Sequence, residues 1–156
     1  MIKVLFVCLG NICRSPLAEA ILIEKVKKMG LAHKIAVDSV GTANYHVGEN
    51  PDPRTIEIAE KYGIPVNHRG QQFKKYHQNE FDYLLAMDAS NYQNMVKEMG
   101  EDPEKLMMMR DFDPDGKGKD VPDPWYGGMN GFEEVYQILD RSADELLNFL
   151  KEKHNL

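Results

Sequence analysis

Cysteine is scarce in this chain, with two in 156 residues. So few cannot make the disulfide framework of a small secreted domain. A reducing, cytoplasmic setting is the expectation, with the packed core holding the fold. Positive charge is short as well: 19 Lys and Arg face 25 Asp and Glu, for a formal net charge of -6. That balance argues against nucleic acid as the main partner. No apolar run approaches the length that crosses a bilayer. The opening Met1-Ile2-Lys3-Val4 lacks the basic region, apolar core and cleavage site of a signal peptide, so no membrane partner is expected. There is no internal repeat, low-complexity tract or linker, and residues 1–156 are expected to form one domain. Any anion site must therefore be local, built from a few placed groups.

What the chain does have is an alternation of strand and helix signals. Ile2 to Cys8 (IKVLFVC) is a β-branched apolar run suited to a central parallel strand. Ser15 and Pro16 then read as the cap and first position of a helix with an apolar face of Leu17, Ala20, Ile21, Ile23 and Val26, ending at Gly30. The same signals predict a strand at Ile35–Val40, a helix at Asp52–Tyr62 stopping at Gly63, a strand at Phe81–Met87 and a helix at Ala89–Met99. A fourth strand at Leu106–Arg110, a long loop at Asp111–Gly128 and a closing helix at Gly131–Lys153 complete the pattern. This order predicts an α/β fold of three layers with right-handed crossovers, whose ligands bind outside the carboxyl ends of the strands.

Both cysteines lie in one stretch at such a position, VCLGNICRSP, residues 7 to 16. The stretch offers free N–H groups and the positive end of a helix dipole. Gly10 and Asn11 tolerate the positive φ that turns successive N–H groups inward, and Arg14 can clamp two oxygens of a tetrahedral oxyanion. Cys8 falls at the floor of this cradle, where the N–H groups, Arg14 and the dipole favour a thiolate nucleophile, and Ser15 can donate a hydrogen bond to it. A strand cysteine alone would be a packing residue. The Cys-x5-Arg-Ser spacing between strand and helix points instead to catalysis. Cys13 has two readings that the residues leave open: a packing residue, or a thiol able to trap an oxidised Cys8.

The chain resembles the low-molecular-weight protein tyrosine phosphatases over nearly its whole length. Val7-Cys8-Leu9-Gly10-Asn11-Ile12-Cys13-Arg14-Ser15-Pro16 matches the family's phosphate-binding loop at every position, and Asp38-Ser39, His68, Ala86-Met87-Asp88 and Asp123-Pro124 follow in the family's order and spacing. The resemblance implies a four-stranded parallel sheet flanked by helices. It also implies hydrolysis of phosphotyrosine proteins through a phosphocysteine, with no metal or other cofactor. Asp123 would protonate the departing phenolate and then activate water. Tyr45, Trp125 and Tyr126 would wall the slot, and Ser39 and His68 would join Asn11 in a network that keeps the loop in shape. Two departures stand out: Trp125 occupies a position where Tyr or Phe is commoner, and His68 is followed by Arg69-Gly70-Gln71-Gln72 where the family often has Arg-Gln.

Rival readings use the same fold. Arsenate reductases of this architecture need further cysteines in the later half of the chain, and none follows Cys13. Arginine phosphatases carry threonine where this chain has Ile12. A non-catalytic phosphotyrosine-binding module would be expected to lack Cys8, Arg14 or Asp123. The run DFDPDGKGKD, residues 111 to 120, faintly resembles a calcium loop, but Pro114 and a missing bidentate Glu spoil it. Asp111, Asp113, Asp115 and Asp120 are therefore read as turn residues.

Overall fold

The computed structural model describes residues 1–100 and 104–156. Four strands, β1 (Ile2–Cys8), β2 (Ile35–Gly41), β3 (Tyr83–Ala86) and β4 (Leu106–Met108), form one parallel sheet in the order β2-β1-β3-β4. Helices α1 (Arg14–Lys28), α2 (Pro53–Lys61), α3 (Lys75–Glu80), α4 (Ala89–Met99) and α5 (Gly128–Lys153) flank it. Among the described residues no helix is long and apolar enough to cross a membrane.

Strand β1 lies in the middle because it can be apolar on both faces. Val4, Leu5, Phe6 and Val7 are all fully buried, and complete burial of a side chain of this size contributes about 1.5–3 kcal/mol. The period of two sends Val4, Phe6 and Cys8 toward the core made with α1 and α5. Leu5 and Val7 face the opposite core, with Met95 and Met99 of α4 and with Phe73 and Phe81. Cys8 thus leaves the sheet on the α1 side. The chain steps from β1 to β2 in one direction and later returns to place β3 on the other side of β1. A crevice opens at such a switch point, at the carboxyl ends of the strands.

Several boundaries differ from the sequence reading. Helix α1 starts at Arg14, with Cys13 in the cap position and no side chain capping the helix. Ser15, expected as the cap, lies in the first turn because its hydroxyl is engaged with Cys8 and Asn11. The third and fourth strands are shorter than expected, and the fourth gives way to a 3-10 turn at Met109–Phe112. A further 3-10 turn at Pro124–Tyr126 punctuates the long loop, and α5 begins three residues early, at Gly128. The short α3 was not anticipated.

Candidate active site

The turn after β1 folds around the sulfur of Cys8. Asn11 adopts φ 58°, which aims its backbone N–H at Cys8 Sγ, 3.3 Å away. Ser15 Oγ lies 2.8 Å from the same sulfur. Asn11 Nδ2 donates to Ser15 Oγ at 2.8 Å, which takes up an acceptor site of the hydroxyl and frees its proton for the sulfur. With its first-turn N–H groups uncapped by any side chain, α1 presents free donors at the same place.

Asn11 is held in this left-handed conformation from four sides. Its Oδ1 accepts from the backbone N–H of Gln71 at 2.9 Å, a donor that fixes which end of the amide is oxygen. His68 Nε2 must then donate to Oδ1, at 2.7 Å. On the other end, Nδ2 donates to Ser39 Oγ at 3.0 Å, and the Ser39 hydroxyl donates in turn to Glu19 Oε1 at 2.7 Å. Glu19 Oε1 also faces His68 Nδ1 at 3.1 Å. Glu19, Asp38 and His68 bring three possible ligand atoms within 4.8 Å of one another. Each is already engaged, Glu19 by Ser39 and His68 and Asp38 by Ser39 N–H and Gln71, so they support the loop. Gln71 extends the support, its Nε2 donating to Asp38 Oδ2 at 2.8 Å and to Ser39 O at 2.9 Å.

The local departure at Gly70 has a physical reason. A Cβ there would lie 2.2 Å from the carbonyl oxygen of His46. Glycine alone lets the 46–49 turn close on this segment, through Gly48 N–H to Gly70 O and Gly70 N–H to Glu49 O.

Arg14 is buried and oriented from behind. One nitrogen, Nη1, donates to Asp88 Oδ2 at 2.7 Å and to Val121 O at 2.9 Å. Its Nε and Nη2 have no protein partner among the described residues, so one edge of the guanidinium fork remains for a ligand. Burial opposes the charge on Arg14, but the negative charge of Cys8 and then the hydrogen bond to Asp88 outweigh it and raise its pKa. Asp88 also caps α4 by accepting from Asn91 N at 2.7 Å, which fixes its carboxylate. Cys13 is different in kind. Its thiol is buried, and burial, with the nearby charges of Asp52, Cys8 and Asp123, pushes it up to about 12.

These groups line a cleft of about 260 Å3 whose walls include Cys8, Ile12, Arg14, Tyr45, His46 and Asp123. Leu9, Gly10, Asn11, Cys13, Trp125 and Tyr126 also contribute to it, whereas Ser15, Ser39 and His68 stand behind the loop. At the mouth, Tyr126 is 93 % exposed, against 42 % for Trp125. Asp123 accepts from the N–H of Trp125 at 3.0 Å.

The family model described as low molecular weight phosphotyrosine protein phosphatase matches residues 3–156. The chain belongs to that family. It is 46% identical over 154 residues to the low molecular weight phosphotyrosine protein phosphatase of Schizosaccharomyces pombe, covering 96% of each chain. A solved structure of a protein tyrosine phosphatase from Entamoeba histolytica, with Hepes in its active site, superposes with a TM-score of 0.93 at 36% identity over 100% of both chains. A drosophila arginine phosphatase superposes at 0.87 with 31% identity, covering 96% of this chain and 98% of that one.

Within this family member, sequence reasoning identified every named loop residue but missed several that act through space. His46 on the cleft wall, Glu19 behind the loop, Val121 behind Arg14 and Arg54 beside Trp125 carry no mark in the sequence. Asp88 and Gln71 stand in quoted motifs but without a role, which their contacts to Arg14 and Asn11 supply. The Asp111–Asp120 run is more than a turn. Asp113 is fully buried and accepts from Arg110 Nε at 2.8 Å and Arg141 Nε at 2.7 Å. Those two arginines occupy the carboxylate, which leaves it no role as a calcium ligand.

Proposed function

We propose that this chain hydrolyses phosphotyrosine in protein substrates, in a reducing cytoplasmic setting, by a phosphocysteine route that requires no metal. The observation that carries the reading is the convergence on one cleft of a sulfur holding two hydrogen bonds, an arginine edge without a partner among the described residues, and a carboxylate. The bound phosphate sits among the loop N–H groups with two oxygens on Arg14. Cys8 Sγ attacks phosphorus as the bond to the phenolic oxygen breaks, and Asp123 gives that oxygen its proton. Water then attacks the phosphocysteine, Asp123 takes the proton back, and inorganic phosphate leaves as the thiolate is restored. Charge accumulates on the equatorial oxygens in both steps, where the inward N–H groups and Arg14 meet it without reorganising.

The aromatic lining supports an aryl substrate: Tyr45, Trp125 and Tyr126 all line the cleft that holds Cys8, where a phenyl ring can pack between them with its phosphate on the loop. Ile12 adds an apolar wall that suits a phenyl ring better than a guanidinium. The test is phosphate release from phosphotyrosine, phosphoserine and phosphoarginine peptides, side by side in the presence of a chelator. Turnover of phosphotyrosine alone, abolished by Cys8→Ser with phosphate binding retained, is the expected result. Preferential release from phosphoarginine, or substantial turnover by the serine variant, would overturn the proposal.

A further inference from the structure

Arg54, in the first turn of α2, reaches across to the loop that carries Asp123. The start of α2 is tied to the phosphate-binding loop, because Asp52 N donates to Ile12 O at 2.8 Å. Asp52 then caps α2 through the Arg54 N–H at 2.8 Å and grips the Arg54 side chain with both oxygens, Nε to Oδ1 at 3.1 Å and Nη2 to Oδ2 at 3.0 Å. A guanidinium held as a fork has little freedom left. Its remaining nitrogen, Nη1, donates to the carbonyl of Trp125 at 2.9 Å. Its plane also lies against two rings, 5.3 Å from the centroid of Trp125 and 4.7 Å from that of Phe132.

The same residue, Trp125, donates its N–H to Asp123 Oδ1. Pro124 has no N–H, so Trp125 supplies the first backbone donor after Asp123. The links therefore run in series: Ile12 carbonyl, Asp52, Arg54, Trp125, Asp123 carboxylate. They span the fixed loop under the phosphate and the loop above it.

We infer that Arg54 is a positioning residue for the acid: by holding Trp125 against α2 it sets the reach of the Asp123 carboxylate over the cleft. The inference rests on the reading of Asp123 as general acid. Arg54 is not among the residues lining the cleft and meets no reacting atom. An ion pair that merely stabilised the fold would lower activity equally for every leaving group. A positioning role predicts a loss that grows with the basicity of the departing oxygen, because only then is the proton needed.

The experiment compares kcat of the wild type, Arg54→Met, Arg54→Lys, Asp123→Ala and the Asp123→Ala/Arg54→Met double variant. Each is assayed on a phosphotyrosine peptide and on p-nitrophenyl phosphate. Acrylamide quenching of Trp125, the one tryptophan of the chain, reports the loop directly. Arg54→Met should lose roughly 10- to 100-fold on the peptide, the usual effect of misplacing a catalytic group by about 1 Å, and clearly less on p-nitrophenyl phosphate. It should add no loss once Asp123 is gone, and quenching should rise. Arg54→Lys, which keeps the charge beside Asp52 without the fork, should fall between, and it carries the same comparison if the methionine variant does not fold. If Asp123→Ala itself shows no leaving-group bias, the acid assignment fails. If Asp123→Ala shows the bias while the Arg54 variants lose both substrates alike, or the two losses multiply, the Arg54 inference fails and the acid assignment stands.

Discussion

Replacing Asn11 tests whether the loop is held by its side chain or merely follows the backbone around it. The side chain makes four hydrogen bonds, to Ser15, Ser39, His68 and Gln71. A net contribution of about 1 kcal/mol each, with some relief from entering water, gives Asn11→Ala a loss of roughly 3 kcal/mol. Alanine at φ 58° adds about 1 kcal/mol of steric cost that asparagine largely escapes. The expected total, roughly 3–5 kcal/mol, should lower Tm by about 10 °C in a protein of this size. Asn11→Gly removes the same hydrogen bonds without the steric term, so it should be roughly 1 kcal/mol more stable than Asn11→Ala. Urea unfolding followed by circular dichroism measures both values, and turnover of p-nitrophenyl phosphate should fall at least tenfold in each variant as the N–H drifts from the sulfur. An alanine variant within 1 kcal/mol of wild type would refute the argument. So would a glycine variant no more stable than the alanine one.

Two further outcomes follow from buried groups. Because Cys13 is pushed up to about 12, it stays a thiol at neutral pH, and limited iodoacetamide treatment of the native protein should modify Cys8 alone; peptide mapping that finds Cys13 labelled as fast as Cys8 would contradict this. Asp113, held by Arg110 and Arg141, has its pKa lowered from 3.8, burial opposing the charge and the Arg141 hydrogen bond leading the groups that overcome it. Asp113→Ala should cost roughly 3–5 kcal/mol, as breaking a buried pair does. A depressed carboxylate contributes fully above its unfolded value and loses that contribution as pH falls through the folded one, so the gap to wild type should narrow below pH 3.8. A gap that stays constant on acidification would show that the charge on Asp113 is not what stabilises the loop.

Much of this was legible in the chain because its signals are local. The run Ile2–Cys8 is apolar on both faces, and that alone marks a strand buried on both sides. The ends of α4 are equally explicit, with Asp88 capping it and Gly100 at φ 69° stopping it. By contrast, α3 reads KYHQNE, which carries no helical apolar period. It is held by His77, whose Nδ1 accepts from Lys74 N at 2.8 Å and whose ring packs near Phe73 and Phe81. Ser15 misled for a related reason. A serine before a proline suggests a cap, but here the hydroxyl is drawn to a sulfur and an amide from the preceding turn. The site divides the same way: Cys8, Arg14 and Asp123 stand in a recognisable pattern, whereas Arg54 and Gln71 become meaningful only when folding brings distant segments within 3 Å.

That distance along the chain has a consequence for how the protein comes into being. The cradle is sequentially among the first segments made, yet Asn11 closes onto partners 57 and 60 residues later, and Arg14 onto partners 74 and 107 residues later. A chain emerging in order therefore exposes the Cys8 sulfur long before the partners that surround it exist. Helix α1 and strand β1 can pair and still leave the thiol without its arginine in place. Recovery of turnover on refolding should thus coincide with the last cooperative step and not with the return of helical signal. Phosphatase activity becomes, in this protein, a readout of complete folding.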